Sequence, residues 1–151
     1  MKKLTILPAL LFVGSVLAGS PSTSVDQLLG RYYLIQKSLV ADSVTGVSQS
    51  AAEIAKISRQ AAATGSVGKI QLLAISEVAA KLNTADLKIA RKEFGDLSER
   101  VIIYLKASGA IRNPPYQFYC SMAKKSWLQP DKQTRNPYYG GSMLTCGELV
   151  Q

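Results

Sequence analysis

The fold is decided by a long stretch of helical periodicity, which opens with residues 24–40, SVDQLLGRYYLIQKSLV. Apolar side chains recur here at steps of three and four residues, namely Leu28, Leu29, Tyr32, Tyr33, Ile35, Leu39 and Val40. That spacing is the period of a helix that turns one face to a core. Ser24 lies just before the pattern and Asp26 in its opening turn, so we expect Ser24 to cap a first helix.

The next stretch repeats this period with smaller side chains. Asp42 and Ser43 interrupt the first helix and can cap a second. Its apolar positions are Val44, Val47, Ala51, Ile54, Ala55, Ile57 and Ala61. Gly46 weakens the first turn of this helix, and the composition of residues 63–68, ATGSVG, predicts a loop after it.

Two more helices follow, which completes a mainly α fold. We expect the third to bury Ile70, Leu73, Ala74, Val78 and Leu82. We expect Thr84 or Asp86 to cap the fourth, in which Gly95 predicts a kink or a break. The buried face of the fourth is Leu87, Ala90, Phe94, Leu97, Val101, Ile102 and Leu105. Four amphipathic helices with short loops predict an up-down four-helix bundle over about residues 24–108.

The character of the chain changes at residue 110. Proline and glycine make long helices improbable there, and the aromatic residues cluster, namely Tyr116, Phe118, Tyr119, Trp127, Tyr138 and Tyr139. Residues 116–119 and 143–146 have the composition of short strands. We expect residues 110–151 to form an irregular lobe on one end of the bundle, because so short a segment buries too little surface to fold alone.

The N-terminus has the pattern of a secretory signal peptide. Two lysines precede an apolar run from Leu4 to Leu17, which is too short to span a membrane, and small residues lead to a cleavage site after Ala18. We therefore expect a signal peptide at residues 1–18 and a single exported domain at residues 19–151. The mature protein would be periplasmic or otherwise exported, with no transmembrane segment.

The charge of the chain argues against one class of partner. The net charge of +8 falls to +6 when Lys2 and Lys3 are removed with the signal peptide. The remaining basic residues are scattered along the chain, and export separates the protein from nucleic acid. We expect a monomer that binds no nucleic acid and has a solvated basic surface.

The last third of the chain contains the most distinctive chemistry. The chain has two pairs of sulfur-containing residues here, Cys120 with Met122 and Met143 with Cys146. Met1 is the only other sulfur-containing residue. A turn through residues 136–141, NPYYGG, would bring the two cysteines together. Thiolate and thioether ligands select soft metals, so these four residues are a candidate site for Cu(I) or Ag(I). Two cysteines without histidine are a poor ligand set for structural zinc.

The same cysteines allow a second interpretation. Two cysteines in an exported protein commonly form a disulfide. A bond between Cys120 and Cys146 would stabilise the fold by about 3–4 kcal/mol in the chain-entropy description. Met122 and Met143 would then fill gaps between aromatic rings. The two interpretations are compatible, because a reducible pair can bind metal when reduced and close when oxidised.

Several of these motifs resemble those of a known protein family. The segments Cys120-Ser121-Met122-Ala123, Trp127-Leu128, Asn136-Pro137-Tyr138-Tyr139-Gly140 and Met143-Leu144-Thr145-Cys146-Gly147 are similar to a family of bacterial exported domains of unknown function. Its members occur alone or fused to periplasmic adaptor subunits of copper and silver efflux pumps. The helical part resembles it too, through Leu39-x-x-Asp42 and Arg91-x-x-Phe94-x-x-Leu97-Ser98. Where the family usually has proline after the first cysteine, this chain has Ser121.

The resemblance implies a four-helix exported domain that handles copper through its Cys-x-Met and Met-x-x-Cys elements, with an efflux adaptor as partner. With this resemblance, the metal interpretation and the disulfide interpretation have about equal support. Catalysis has little support, because the chain has no histidine and its cysteines lack Cys-x-x-Cys spacing. We expect a non-enzyme, either a soft-metal protein or a metal-free, disulfide-stapled interaction module.

Overall fold

A computed structural model describes residues 23–109 and 114–150 of the chain. The predicted signal peptide, residues 1–18, and the expected start of the mature chain at Gly19 lie outside these ranges.

Four helices make up most of the described chain. They are α1 (Ser24–Val40), α2 (Val47–Ala63), α3 (Lys69–Lys81) and α4 (Leu87–Ser108). Consecutive helices pack against one another, and α1 also contacts α4. The largest fully buried helical side chains are Leu28, Tyr32, Ile35, Leu39, Ile54, Leu72, Ile75, Phe94 and Tyr104. The predicted mainly helical fold with four helices is confirmed.

The N-terminal caps differ in part from the prediction. Thr23, and not Ser24, caps α1: its Oγ1 accepts the N–H of Asp26 at 3.2 Å, and the Asp26 carboxylate accepts the N–H of Thr23 at 3.0 Å. This reciprocal arrangement is a capping box. At α4 the Asp86 carboxylate accepts the N–H of Ile89 at 2.8 Å, as expected.

Asp42 and Ser43 do not cap α2. The N-cap of that helix is Gly46, which has a φ of 73° and no side chain. Asp42 itself has a φ of 54°, and its carboxylate accepts the N–H of Gly141 in the C-terminal lobe at 3.0 Å. The aspartate therefore links the α1–α2 loop to the lobe instead of starting a helix.

The predicted buried face of α3 is right for Leu82, which is fully buried at the end of the helix, and wrong for Ile70 and Leu73. Ile70 is 80% exposed and Leu73 is 42% exposed. The buried residues of the helix are Leu72, Ile75, Ser76 and Ala79. Apolar side chains surround most of this short helix, so packing between α2 and α4 selects the face and the periodicity does not.

Helix α4 runs unbroken through Gly95, so the predicted break is absent from this helix. Gly95 is buried, and a Cβ atom there would collide with the side chain of Lys125. The glycine thus serves a close approach of the lobe to the helix, a role that its position in the pattern does not reveal.

Residues 114–150 contain a small antiparallel sheet of β1 (Tyr116–Cys120), β2 (Lys125–Gln129) and β3 (Glu148–Leu149), in the order β2-β1-β3. The strand expected at residues 116–119 is confirmed. The strand expected at residues 143–146 is wrong, because this segment forms a turn in which the N–H of Cys146 donates to the carbonyl of Met143 at 3.0 Å.

Aromatic rings join the lobe to the helices. Trp127 is fully buried, stacks on Phe118 with centroids 5.3 Å apart, and meets Tyr138 edge-on at 6.0 Å. Tyr138 in turn lies 6.1 Å from Phe94 of α4. The hydroxyl of buried Tyr32 in α1 bonds to Ser98 at 2.7 Å and accepts the N–H of Leu128 at 3.1 Å. These contacts fix β1 and β2 against the bundle.

No helix within residues 23–109 and 114–150 combines the length and the apolar character needed to cross a membrane.

Candidate metal centre

The two cysteines come together at one edge of the sheet. Cys120 is the last residue of β1 and is fully buried, and Cys146 lies two residues before β3 and is half-buried. Their Sγ atoms are 3.6 Å apart, and both are free thiols. This separation is longer than the about 2.05 Å of a disulfide bond.

Strand pairing explains why distant residues meet. In the β1–β3 ladder Tyr119 lies opposite Glu148. Because the strands are antiparallel, the residue after Tyr119 faces the residues that precede Glu148. Cys120 therefore approaches Cys146 across 26 residues of sequence, and the proximity expected from the sequence is confirmed.

Backbone N–H groups surround the sulfur of Cys120. The turn between β1 and β2 places the N–H of Ala123 3.5 Å from Cys120 Sγ. Asn136 and the backbone of Met122 also act to lower the pKa of this thiol. Lys124, which has a φ of 52°, completes the turn. Burial opposes ionisation, but the donors outweigh it and lower the pKa of the Cys120 thiol.

Cys146 behaves in the opposite way. Its hydrogen bond with Cys120 is the largest cause that raises the pKa of the Cys146 thiol, and burial and the charge of Cys120 act in the same direction. The first ionisation of the pair therefore favours a thiolate on Cys120 and a thiol on Cys146 that donates to it.

Asn136 organises the segment around the pair. It is fully buried, and its Nδ2 donates to the carbonyl of Cys146 at 2.6 Å while its Oδ1 accepts the N–H of Tyr138 at 2.8 Å. The sequence analysis assigned Asn136 only to a turn. Its position ten residues before Cys146 gives no local signal of this contact.

The two candidate thioether ligands differ in exposure. Met122 lies in the turn after Cys120 and is 62% exposed. Its side chain lines an open groove of about 700 Å³ together with Leu87, Lys88, Arg91, Lys92, Ala123, Lys125, Tyr138 and Tyr139. Met143 is half-buried and precedes Cys146 in the same turn. Met122 thus lies in a turn two residues after Cys120, and Met143 lies three residues before Cys146.

Gly147 permits a close contact beside Cys146. Its φ is 149°, and a Cβ atom there would overlap the ring of Trp127. The indole of Trp127 is held by a hydrogen bond from its Nε1 to Oε1 of buried Gln129 at 3.0 Å. A rigid aromatic wall therefore backs the chain that bears Cys146.

Arg91 is a residue whose role the sequence analysis missed. Its side chain is only 18% exposed. Its Nε donates to the carbonyl of Pro137 at 3.0 Å, and its Nη2 donates to the carbonyl of Leu39 at 3.0 Å and to Asp42 Oδ1 at 2.5 Å. Arg91 thereby joins α1, α4 and the lobe.

No group of three or more His, Cys, Asp or Glu side chains within the described ranges is placed to hold a metal ion. Comparisons with protein families, with curated proteins and with solved structures found no match to this chain. The family resemblance therefore stays a prediction from the motifs.

Proposed function

We propose that this protein is a periplasmic or otherwise exported carrier of Cu(I) or Ag(I), which it holds through Cys120 and Cys146 with Met122 and Met143 as thioether ligands. The observation that carries this proposal is the geometry of Cys120 Sγ, which lies 3.6 Å from a second thiol and accepts the N–H of Ala123 at 3.5 Å.

The donors favour a charged sulfur. Hydrogen bonds to an ionised acceptor are roughly twice as strong as those between neutral groups. The N–H group of Ala123 therefore stabilises a thiolate on Cys120 more than it stabilises the neutral sulfur of a disulfide. A thiolate is the form that binds metal. Donors of this kind also orient a ligand before the metal arrives.

The separation of the sulfurs suits ligation. Metal–thiolate bonds in zinc sites are about 2.3 Å long. Two bonds of that length to sulfurs 3.6 Å apart would meet at an angle of roughly 100°. Such an angle leaves room for further ligands, and soft thioethers are the matching choice for Cu(I).

We also propose an architecture, a partner and an oligomeric state for this protein. Consecutive helices that pack on each other through short loops support an up-down arrangement, with residues 114–150 as a Cys/Met lobe on its end. The motif resemblance supports a periplasmic efflux adaptor as partner and a role in heavy-metal efflux. We further propose a monomer that is not an enzyme and that binds no nucleic acid.

A second candidate function is favoured by the same 3.6 Å separation. In an oxidising compartment a small movement would join Cys120 and Cys146, and the protein would then be a disulfide-stapled interaction module without metal. Counting free thiols in protein purified from the periplasm distinguishes this module from a carrier whose thiols stay reduced.

Competitive titration with Cu(I) under anaerobic conditions tests the carrier. The reduced chain should bind one Cu(I), and Cys120→Ser or Cys146→Ser should each weaken binding by at least about a hundredfold, because a neutral hydroxyl replaces a soft anionic ligand. Ser121→Ala, a change in the exposed neighbour of Cys120, is the matched control and should bind like the original chain. Unchanged affinity in both cysteine variants would end the copper hypothesis.

A further inference from the structure

We infer that Cys146 is a site of thiolation by low-molecular-weight disulfides, and that Cys120 resolves the adduct to an intramolecular disulfide that closes the metal site. The regulatory meaning of this reaction rests on the proposed Cu(I) function. The reaction itself does not.

Accessibility assigns the first step to Cys146. Cys120 has no exposed surface, whereas Cys146 is half-buried and the side chain of Leu144 in the same turn is 40% exposed. Cys146 is therefore the more accessible of the two residues to an external disulfide. Cys146 loses its proton, and its sulfur attacks one sulfur of the reagent, which breaks the reagent's S–S bond and releases one thiolate.

Geometry assigns the second step to Cys120. Its Sγ lies 3.6 Å from Cys146 Sγ, close to the about 3–3.5 Å of a near-attack arrangement. The Cys120 thiolate attacks the sulfur of Cys146, and the second reagent thiolate leaves. In total the two cysteines lose two electrons, the reagent disulfide is reduced to two thiols, and the two cysteine protons end on those thiols.

The product would change both the site and the fold around it. Neither sulfur of a disulfide is available as a thiolate ligand, so the oxidised chain loses its proposed hold on Cu(I). The new bond also ties the end of β1 to the chain leading into β3, a strand of only two residues whose pairing covers Phe118–Leu149 and Tyr119–Glu148. Oxidation would therefore have two simultaneous effects: it would release the metal and would tie the C-terminal strand β3 to β1.

Oxidised glutathione is the probe for the test. The reduced chain is mixed with it without oxygen, quenched with an alkylating agent at successive times, and analysed by intact mass and peptide mapping. We expect a transient glutathione adduct on Cys146 that decays to the intramolecular disulfide. A transient adduct on Cys120 would overturn the assignment, and this measurement on the unaltered chain does not depend on any variant folding.

Two variants sharpen the result. Cys120→Ser should accumulate a lasting adduct on Cys146, because the resolving thiol is gone. Cys146→Ser should react at least about tenfold more slowly, because the remaining thiol is buried. Equal rates in the two variants, or no adduct in Cys120→Ser, would refute the proposal. Cu(I) titration of the reduced chain does not depend on these rates. The proposal of Cu(I) binding and the proposed order of thiolation can therefore be refuted separately.

Discussion

Arg91 and Asp42 form an ion pair across 49 residues, with Arg91 Nη2 2.5 Å from Asp42 Oδ1. The other oxygen of the aspartate accepts the N–H of Gly141, and Nε of the arginine donates to the carbonyl of Pro137. This pair therefore holds both ends of the segment that returns the chain towards Cys146.

Arg91→Lys should loosen this attachment. A lysine has a single compact ammonium group and cannot serve Pro137, Leu39 and Asp42 together. We expect a loss of about 1.5–3 kcal/mol in the free energy of unfolding, measured by urea denaturation. Arg100→Lys, an exposed change on the same helix, should stay within about 0.5 kcal/mol. Equal effects in the two variants would remove the structural role assigned to Arg91.

Gly140→Ala tests the closeness of the same contact. Gly140 has a φ of 53°, and a Cβ atom there would collide with Asp42 and with Arg91 Nη2. Gly65 has a φ of 80° but no neighbouring atom within 4 Å among the described residues. Gly65→Ala should cost roughly 1–2 kcal/mol for the left-handed backbone, and Gly140→Ala should cost about 1–3 kcal/mol more for overpacking. Thermal melts of both variants provide the comparison.

Helical periodicity predicted much of the fold and failed for identifiable reasons. It gave the core face of α1, where Leu28, Ile35 and Leu39 are buried, because polar residues mark the other face of that helix. In α3 apolar residues such as Ile70 occur all round the helix, so the sequence alone could not select the buried side.

The proximity of the two cysteines could be predicted from the sequence, but the residues that hold the surrounding segments in place could not. The sequence predicted that Cys120 and Cys146 are neighbours, and their Sγ atoms are 3.6 Å apart, although pairing of β1 with β3 as well as the turn brings them together. The contacts of Asn136 and Arg91 depend on tertiary packing, which has no local signature. Asp42 and Arg91 both stand in the motifs that carry the family resemblance.

Tyr32→Phe should destabilise the attachment of β2 to the bundle. Removing the hydroxyl leaves Ser98 Oγ and the N–H of Leu128 without their buried partner. Loss of a partner for buried polar groups costs about 1–3 kcal/mol. Tyr33→Phe is the matched control, because Tyr33 is half-buried and no hydrogen bond joins its hydroxyl to the described residues. Urea denaturation should show a clear loss for the first variant and about 0.5 kcal/mol or less for the second.

The pKa of the Cys120 thiol should lie below its ordinary value of 9.0. The Cys146→Ser variant isolates this titration, which the ultraviolet absorbance of the thiolate follows as pH is raised. Adding Asn136→Asp should raise the pKa of Cys120, because a donor is replaced by a buried negative charge. Asn83→Asp at an exposed position should leave the titration unchanged. A Cys120 pKa above 9.0 in the single variant would contradict the prediction.

The same shift predicts how stability depends on pH. A thiol whose folded pKa lies below its unfolded value contributes stability that is fully present above the unfolded value and is lost as pH falls through the folded pKa. The Cys146→Ser variant should therefore become less stable as pH is lowered from 9.0 through the pKa of Cys120. The double variant Cys120→Ser, Cys146→Ser should not show this change, because it has no thiol to titrate.

The methionines decide whether the site has two sulfurs or four. Met122 is 62% exposed and Met143 is half-buried, so replacement of either by leucine, which has a similar volume, should leave the thermal melt nearly unchanged. If both thioethers bind Cu(I), each Met→Leu change should weaken binding by about tenfold, less than either cysteine change, because a thioether has no charge. Leu144→Ala, at a neighbouring side chain that is 40% exposed, is the control without sulfur and should keep the original affinity. Competitive Cu(I) titration of all three variants measures the difference. Full affinity in the double variant Met122→Leu, Met143→Leu would reduce the site to Cys120 and Cys146 alone.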